Sequence, residues 1–304
     1  MKHPFHSLKE AVLTIKMTSL LLYLSLRILR QKVDAGVATL FQSESKIVLI
    51  ASWNVNSIRS RMPILEAWLR DKNPDIVCLQ ETKCEDKDFP EAQIADLGYN
   101  IAHFGQKTFN GVAILSKYPF DDVRHDIPEL DHDQSRYIET GISIHGQYFR
   151  IASVYVPNGQ EIGSNKYIYK LQFLEALRCH MENLLTHEET ALFCGDYNVA
   201  PTDHDVYDPK AWQEQILCST QEREAFHALT HLGYTDILGF ESPPPFTWWD
   251  YRGGAFAKNK GLRIDHILAS PKAADRISGC YVDTNVRSLE KTSDHAPVIA
   301  KIKL

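Results

Sequence analysis

Short apolar runs recur from Lys46 onward, and several follow one another without a helix between them. Lys46–Trp53 (KIVLIASW), Asp75–Leu79, Gly111–Ser116, Ile138–His145, Tyr148–Val156, Thr190–Cys194, Leu262–Ala269 and Pro297–Leu304 have the length and apolar content of buried strands. A turn at Gly146-Gln147 is expected to join two of them. Three other segments carry helical spacing. Met62–Lys72 puts Ile64, Leu65, Trp68 and Leu69 on one face, with Pro74 as its stop. Tyr167–Leu185 does the same with Leu171, Phe173, Leu174, Leu177, Met181 and Leu184, and Gln221–Leu232 ends before Gly233. Strands that outnumber helices and come in pairs exclude a strict βαβ alternation. The expected class is α+β, with two stacked mixed sheets flanked by helices. Strands recur in both halves of the chain, which leaves room for a duplicated layout. No linker rich in Pro, Gly or Ser divides residues 46–304, so they read as one catalytic domain.

Residues 1–45 differ in character. Their apolar stretch, Met17–Leu26, is bounded by Lys16 and Arg27 and is too short for a transmembrane helix. The segment reads as a non-catalytic extension, helical or disordered. The alternatives are a signal peptide, because lysines precede the stretch and small residues lie near Ala35–Ala38, and sequence upstream of the natural start. The formal charge of −6 excludes a protein that coats nucleic acid by bulk charge, but it leaves room for a local basic groove. Cys78, Cys84, Cys179, Cys194, Cys218 and Cys280 form no Cys-x-x-Cys pair. They read as free thiols of a reducing, cytoplasmic compartment rather than as a disulfide framework or a zinc site.

The ends of the strands carry the chemistry. Gly195-Asp196-Tyr197-Asn198 follows the run Thr190–Cys194. If strand geometry persists, Asp196 and Asn198 point the same way; the same residues are also ordinary turn formers. Asn54 and Asn56 follow the first strand, Glu81 the second, and Tyr155 and Asn158 another, while Asp294-His295 precedes the last. Asp265 lies between Ile264 and Ile267 in an apolar run, where an unpaired carboxylate is costly, and His295 is a candidate partner. Together these parts suit a metal-assisted phosphoryl hydrolase. One carboxylate holds Mg²⁺, another orients or deprotonates water, and a histidine steadied by an aspartate donates to phosphate oxygens.

The chain resembles the exonuclease III class of abasic-site endonucleases, within the endonuclease/exonuclease/phosphatase superfamily. The matching blocks are Ser52–Arg59 (SWNVNSIR), Leu79–Lys83 (LQETK), Gly111–Ile114 (GVAI), Tyr155–Gly159 (YVPNG), Gly195–Ala200 (GDYNVA), Gly261–Leu268 (GLRIDHIL) and Ser293–Pro297 (SDHAP). The resemblance covers about Lys46 to Leu304. It implies a DNase I-like, four-layer αββα sandwich with the site at one end of both sheets. It also implies a divalent metal, Mg²⁺ with Mn²⁺ as a substitute, held by Glu81 within a shell of Asn54, Asp196, Asn198, Asp294 and His295. Some relatives have aspartate at the position of Asn56.

By the same resemblance Asp196 activates the attacking water, and Asn198 helps to place phosphate or water. Tyr155 and Asn158 contact the scissile phosphate, and His295, oriented by Asp265, binds it. Trp248 and Leu262 line a pocket for a base-less sugar. Apart from the resemblance, Arg59 and Arg61 are further candidates for contacts to the DNA backbone, with a solvated surface as the simpler account. The aromatic and basic segment Phe246–Arg252 with Lys258–Arg263 suits stacking and phosphate contact. The expected activity is cleavage 5′ to abasic sites in duplex DNA, trimming of 3′ ends and removal of 3′-blocking groups. A monomer with no obligate protein partner and no membrane association is expected. The alternatives are a non-catalytic nucleic-acid-binding member of the fold, and a phosphatase or lipid phosphodiesterase.

Overall fold

The computed structural model describes residues 46–130 and 133–304; the expectations for residues 1–45 fall outside them. Two six-stranded sheets form the centre. The first has the order β11-β12-β1-β2-β4-β3, built from β1 (Ile47–Asn54), β2 (Ile76–Gln80), β3 (Asn100–Phe104), β4 (Val112–Ser116), β11 (Ile277–Val282) and β12 (Val298–Lys303). The second has the order β5-β6-β7-β8-β10-β9, built from β5 (Phe120–Arg124), β6 (Tyr137–Ile144), β7 (Gln147–Tyr155), β8 (Thr190–Asp196), β9 (Thr235–Asp236) and β10 (Asp265–Ala269).

Each sheet has one parallel pair, β1/β2 and β7/β8, with antiparallel strands on either side. A parallel pair needs a crossover, and a helix supplies it in both cases: α1 (Ile58–Lys72) after β1 and α2 (Asn165–Leu185) after β7. The second sheet runs β5, β6, β7, α2, β8, β9, β10 in chain order. The first repeats that plan as β11, β12, β1, α1, β2, β3, β4, so the chain's last two strands complete its first sheet. The layout is a permuted duplication.

Strand alternation sorts the core into layers. Val48, Ile50, Cys78, Ile114, Ile151, Leu192, Cys194, Ile267 and Ile302 meet between the sheets. Ala51, Trp53, Leu79 and Ile299 turn outward beneath α1. Ala152, Phe193 and Leu268 turn the other way, beneath α2 and α3 (Thr220–His231). The result is the expected four-layer sandwich. The same period decides what lies at its end. Asn54, Gln80, Tyr155, Asp196 and Asp265 each sit two residues along from an inward-facing position of their strand, so they cap the apolar interior with polar groups.

Some boundaries differ from expectation. Helix α1 starts at Ile58, before its apolar stripe becomes visible, and carries Pro63 inside it. Asn73 in the left-handed conformation (φ 48°) ends it, ahead of Pro74. The hairpin turn is His145-Gly146, both at positive φ (48° and 80°), one residue earlier than expected. β10 starts at Asp265, because Leu262 pairs with Trp248 and Val206 outside the strand. β3, β5, β9 and β11 are the four sheet edges; the sequence of β5 (FDDVR) is mostly polar and shows no apolar run.

Candidate active site

Asn54 stands at the mouth of the sandwich and joins the two sheets. Its fully buried Nδ2 donates to Glu81 Oε1 (2.8 Å) at the exit of β2 and to Asp196 Oδ2 (2.9 Å) at the end of β8. Its Oδ1 accepts from the backbone N–H of Asn56 (3.0 Å). Asn54 therefore bridges the acids as a donor rather than turning its oxygen toward them. Asn56, Glu81, Lys83 and Asn198 all have positive φ (45°, 54°, 51° and 50°). This sparsely populated region folds the chain back directly after each strand.

The two acids differ electrostatically. Burial works to raise the pKa of Glu81, but the Lys83 ammonium 2.6 Å away, with Asn54, brings it below the ordinary carboxylate value. Burial also raises Asp196, and here it prevails. His295 opposes it, while Asp265 and Glu81 add to it, and the pKa reaches about 7. His295 is buried too, which would lower its pKa, but Asp265 and Asp196 outweigh burial and raise it to about 10. The ring is thus an imidazolium. Its Nδ1 donates to Asp265 Oδ2 (2.8 Å), and Nε2 lies 3.8 Å from Asp196 Oδ2. The partner expected for Asp265 is in place. Asp265 sits directly opposite Asp196 in the β8/β10 register, and its Oδ1 has no hydrogen-bond partner among the described residues.

A carboxylate oxygen of Glu81, one of Asp196 and a ring nitrogen of His295 lie within 4.8 Å of one another, and the protonated ring has no lone pair left for a metal. Two hard carboxylates beside an orphaned third make a donor set that a divalent cation fits. Asp294 stands outside this group. Its Oδ1 accepts from Asn56 Nδ2 (2.9 Å) and its Oδ2 from Trp248 Nε1 (3.0 Å). Burial would raise its pKa, yet His295 and these donors lower it.

Strand geometry does not carry Asn198 alongside Asp196, because β8 stops at Asp196. The backbone N–H of Asn198 instead donates to Asp196 Oδ1 (2.9 Å), which fixes the carboxylate. Asn198 Nδ2 donates to Val156 O (3.0 Å), and its Oδ1 accepts from the exposed Asn158 (3.1 Å). Burial, with the charge of Glu81, pushes the Tyr155 phenol well above its ordinary pKa. The guanidinium of Arg136, which sequence reasoning missed, lies over the Tyr155 ring at 4.6 Å. Tyr155, Asn158 and Arg136 line one side of a cleft of about 470 Å³ that also takes in Phe109 and Lys166.

The expected DNA-facing residues divide. Arg59 is exposed on α1 and shares a rim with Lys83, Lys87 and Lys107. Arg61 is committed to Tyr251 Oη (3.0 Å). Trp248 is half-buried at the mouth, but Leu262 is 0 % exposed, so it backs Trp248 instead of facing solvent. Trp249 is core, packed against Phe256 and donating to Asn259 (3.2 Å). Only one of the two tryptophans therefore remains available to a ligand.

Residues 51–295 match the model of the endonuclease/exonuclease/phosphatase family. Exodeoxyribonuclease III of Haemophilus influenzae is 34% identical over 263 residues, covering 83% of this chain and 98% of that protein. An exodeoxyribonuclease of Bacillus subtilis is 32% identical over 254 residues, covering 82% and 97%. Among solved structures, the Neisseria 3′ phosphatase NExo bound to a product DNA hairpin superposes with a TM-score of 0.80 at 41% identity, covering 84% of this chain and 100% of that one. An AP endonuclease from Archaeoglobus fulgidus gives 0.79 at 39%, covering 84% and 100%.

Proposed function

The chain belongs to the endonuclease/exonuclease/phosphatase family, and from that premise we propose that it is a metal-dependent DNA-repair nuclease of the exonuclease III type. Its reaction is hydrolysis of a phosphodiester. The proposed substrate is duplex DNA, cut 5′ to an abasic site and trimmed or unblocked at 3′ ends. The observation that carries the reading is the trio of Glu81 with a lowered pKa, Asp196 near neutrality and a protonated His295 around one point. A protein that only binds nucleic acid has no use for charges so costly to bury.

Glu81 would hold a divalent cation with Asp196 at its edge, proposed as Mg²⁺ with Mn²⁺ able to replace it, and the cation would neutralise charge developing on the phosphate. His295 Nε2–H donates to a non-bridging oxygen, and Asp265 keeps the ring turned for that task. Asp196, raised to about 7 in the metal-free protein, is proposed to hold the attacking water or take its proton. Asn198 and Asn158 form the opposite wall, and Tyr155 lies beside them. Trp248 and the rim of Arg59, Lys87 and Lys107 are proposed to carry the DNA. A cytoplasmic monomer fits the free cysteines and the chain's composition. Among the described residues no helix is long and apolar enough to cross a membrane.

The test uses the full chain with duplexes bearing one abasic site, a 3′ phosphate or an undamaged recessed 3′ end, each with Mg²⁺ or with chelator. Metal-dependent product from at least one duplex is expected. No product from any of them contradicts the reading.

A further inference from the structure

The loop after β8 gives consecutive backbone carbonyls to side chains that lie behind the site. Asn198 O accepts from Lys170 Nζ (2.6 Å), Val199 O from His266 Nε2 (2.9 Å), Ala200 O from Arg223 Nε (3.1 Å) and Pro201 O from His227 Nε2 (3.2 Å). Lys170 differs from the other three because it also donates to Asn158 O (3.2 Å), on the separate loop that follows β7. Its third partner is the carboxylate of Glu222 on α3. An ammonium has three donors, and all three are used. The Lys170 side chain is 0 % exposed, as is that of Glu222. Glu222 is tied in turn to the backbone N–H groups of Leu217 (3.1 Å) and Ser219 (3.1 Å).

Burying an ion pair is a poor way to stabilise a fold, because apolar groups of similar volume do as well or better. The contact between α2 and α3 also has its own support, Tyr167 Oη on Ser219 Oγ (2.7 Å). What the ammonium adds is a fixed spacing between two carbonyls. Those carbonyls belong to Asn158 and Asn198, whose side chains touch at 3.1 Å on the wall of the site proposed above to face the phosphate.

We propose that Lys170 is a positioning residue for catalysis, setting Asn158 and Asn198 as one unit through their carbonyls; this rests on the hydrolase reading above. Lys170 touches no substrate. Its effect on rate comes from where it holds the two asparagines.

The experiment compares wild type with Lys170→Met and with the double variant Lys170→Met/Glu222→Gln, which leaves no unpaired buried charge if the single variant folds poorly. Steady-state kinetics on abasic duplex with Mg²⁺ is expected to give a fall in kcat of ~10²-fold in both variants, with KM within about threefold of wild type, as a misplaced catalytic wall does. Melting temperatures identify the folded variants. If the double variant is folded and its kcat returns to within about threefold of wild type, the role is charge balance and the proposal is overturned. A second readout does not depend on activity. In protein labelled with ¹⁵N-asparagine, the side-chain signals of Asn158 and Asn198 should shift in the folded variants while that of Asn73 stays in place. Unmoved Asn158 and Asn198 signals also overturn the proposal. A wild-type protein inactive on every duplex would instead sink the hydrolase reading, and the asparagine spectra would still decide the role of Lys170.

Discussion

Asn54 gives one N–H to Glu81 and the other to Asp196, yet these two acids end in opposite states. Both are shielded from water, so burial pushes both upward. Glu81, at the exit of β2, has Lys83 two residues on, and the ammonium overcomes burial. Asp196, at the end of β8, faces an imidazolium that Asp265 already holds, and it stays near 7. The two halves of a duplicated fold thus supply one acid fit to stay charged against a cation and one fit to exchange a proton. Pairs of acids driven apart in this way mark a division of roles.

The comparison breaks most visibly at Asp196. Asp196→Asn should lower kcat by roughly 10³–10⁴-fold, the upper part of the range for a positioned acid–base group, while DNA affinity by fluorescence anisotropy changes little. Activity within about tenfold of wild type would give the proton-handling role to another residue. Asp265→Asn comes next. It removes the group that orients His295 and raises its pKa, so kcat should fall about 10²–10³-fold, as on losing one donor to the transition state. KM should barely move.

A smaller effect appears in metal-free protein as a dependence of stability on pH. Asp196 binds its proton more tightly folded than unfolded, so it costs stability as pH rises from the ordinary carboxylate range to about 7. His295, raised to about 10, contributes stability that is complete below its ordinary value near 6.5 and is lost as pH rises through about 10. Both slopes have the same sign. Melting temperature should therefore fall from pH 5 to pH 10, by roughly 2–4 °C for each kcal/mol in a chain of this size. Mg²⁺ should raise it more at pH 8 than at pH 5, where Asp196 is protonated. A flat profile in the metal-free protein would contradict the assigned protonation states.

Much of this was legible in the sequence because strand alternation is strict. Ile50, Ser52 and Asn54 share a face, as do Leu192, Cys194 and Asp196, so polar residues at the ends of apolar runs had to meet. The pairing of Asp265 with His295 followed from the cost of a lone buried acid. What was hidden depends on groups far apart in the chain or on backbone turns. Asn198 reaches Asp196 through a left-handed residue, not through the strand. Trp248 and Trp249 are neighbours in sequence, yet only the structure sends one to the mouth and the other to the core. Leu262 looked like a wall and proved to be backing. Lys170 sat among the polar residues of an amphipathic helix, and nothing local distinguishes it from a solvated lysine. β5 and its fellow edge strands lacked the apolar runs that betray central ones.

The split between the two acids is measured most directly by ¹³C-carboxyl NMR titration of Glu81 and Asp196 in metal-free protein, alongside Lys83→Met. The expected result is a midpoint near 7 for Asp196, a midpoint below the ordinary carboxylate value for Glu81, and a rise of the Glu81 midpoint alone when Lys83 is lost. Two acids titrating together in the ordinary range, unmoved by Lys83→Met, would contradict the account.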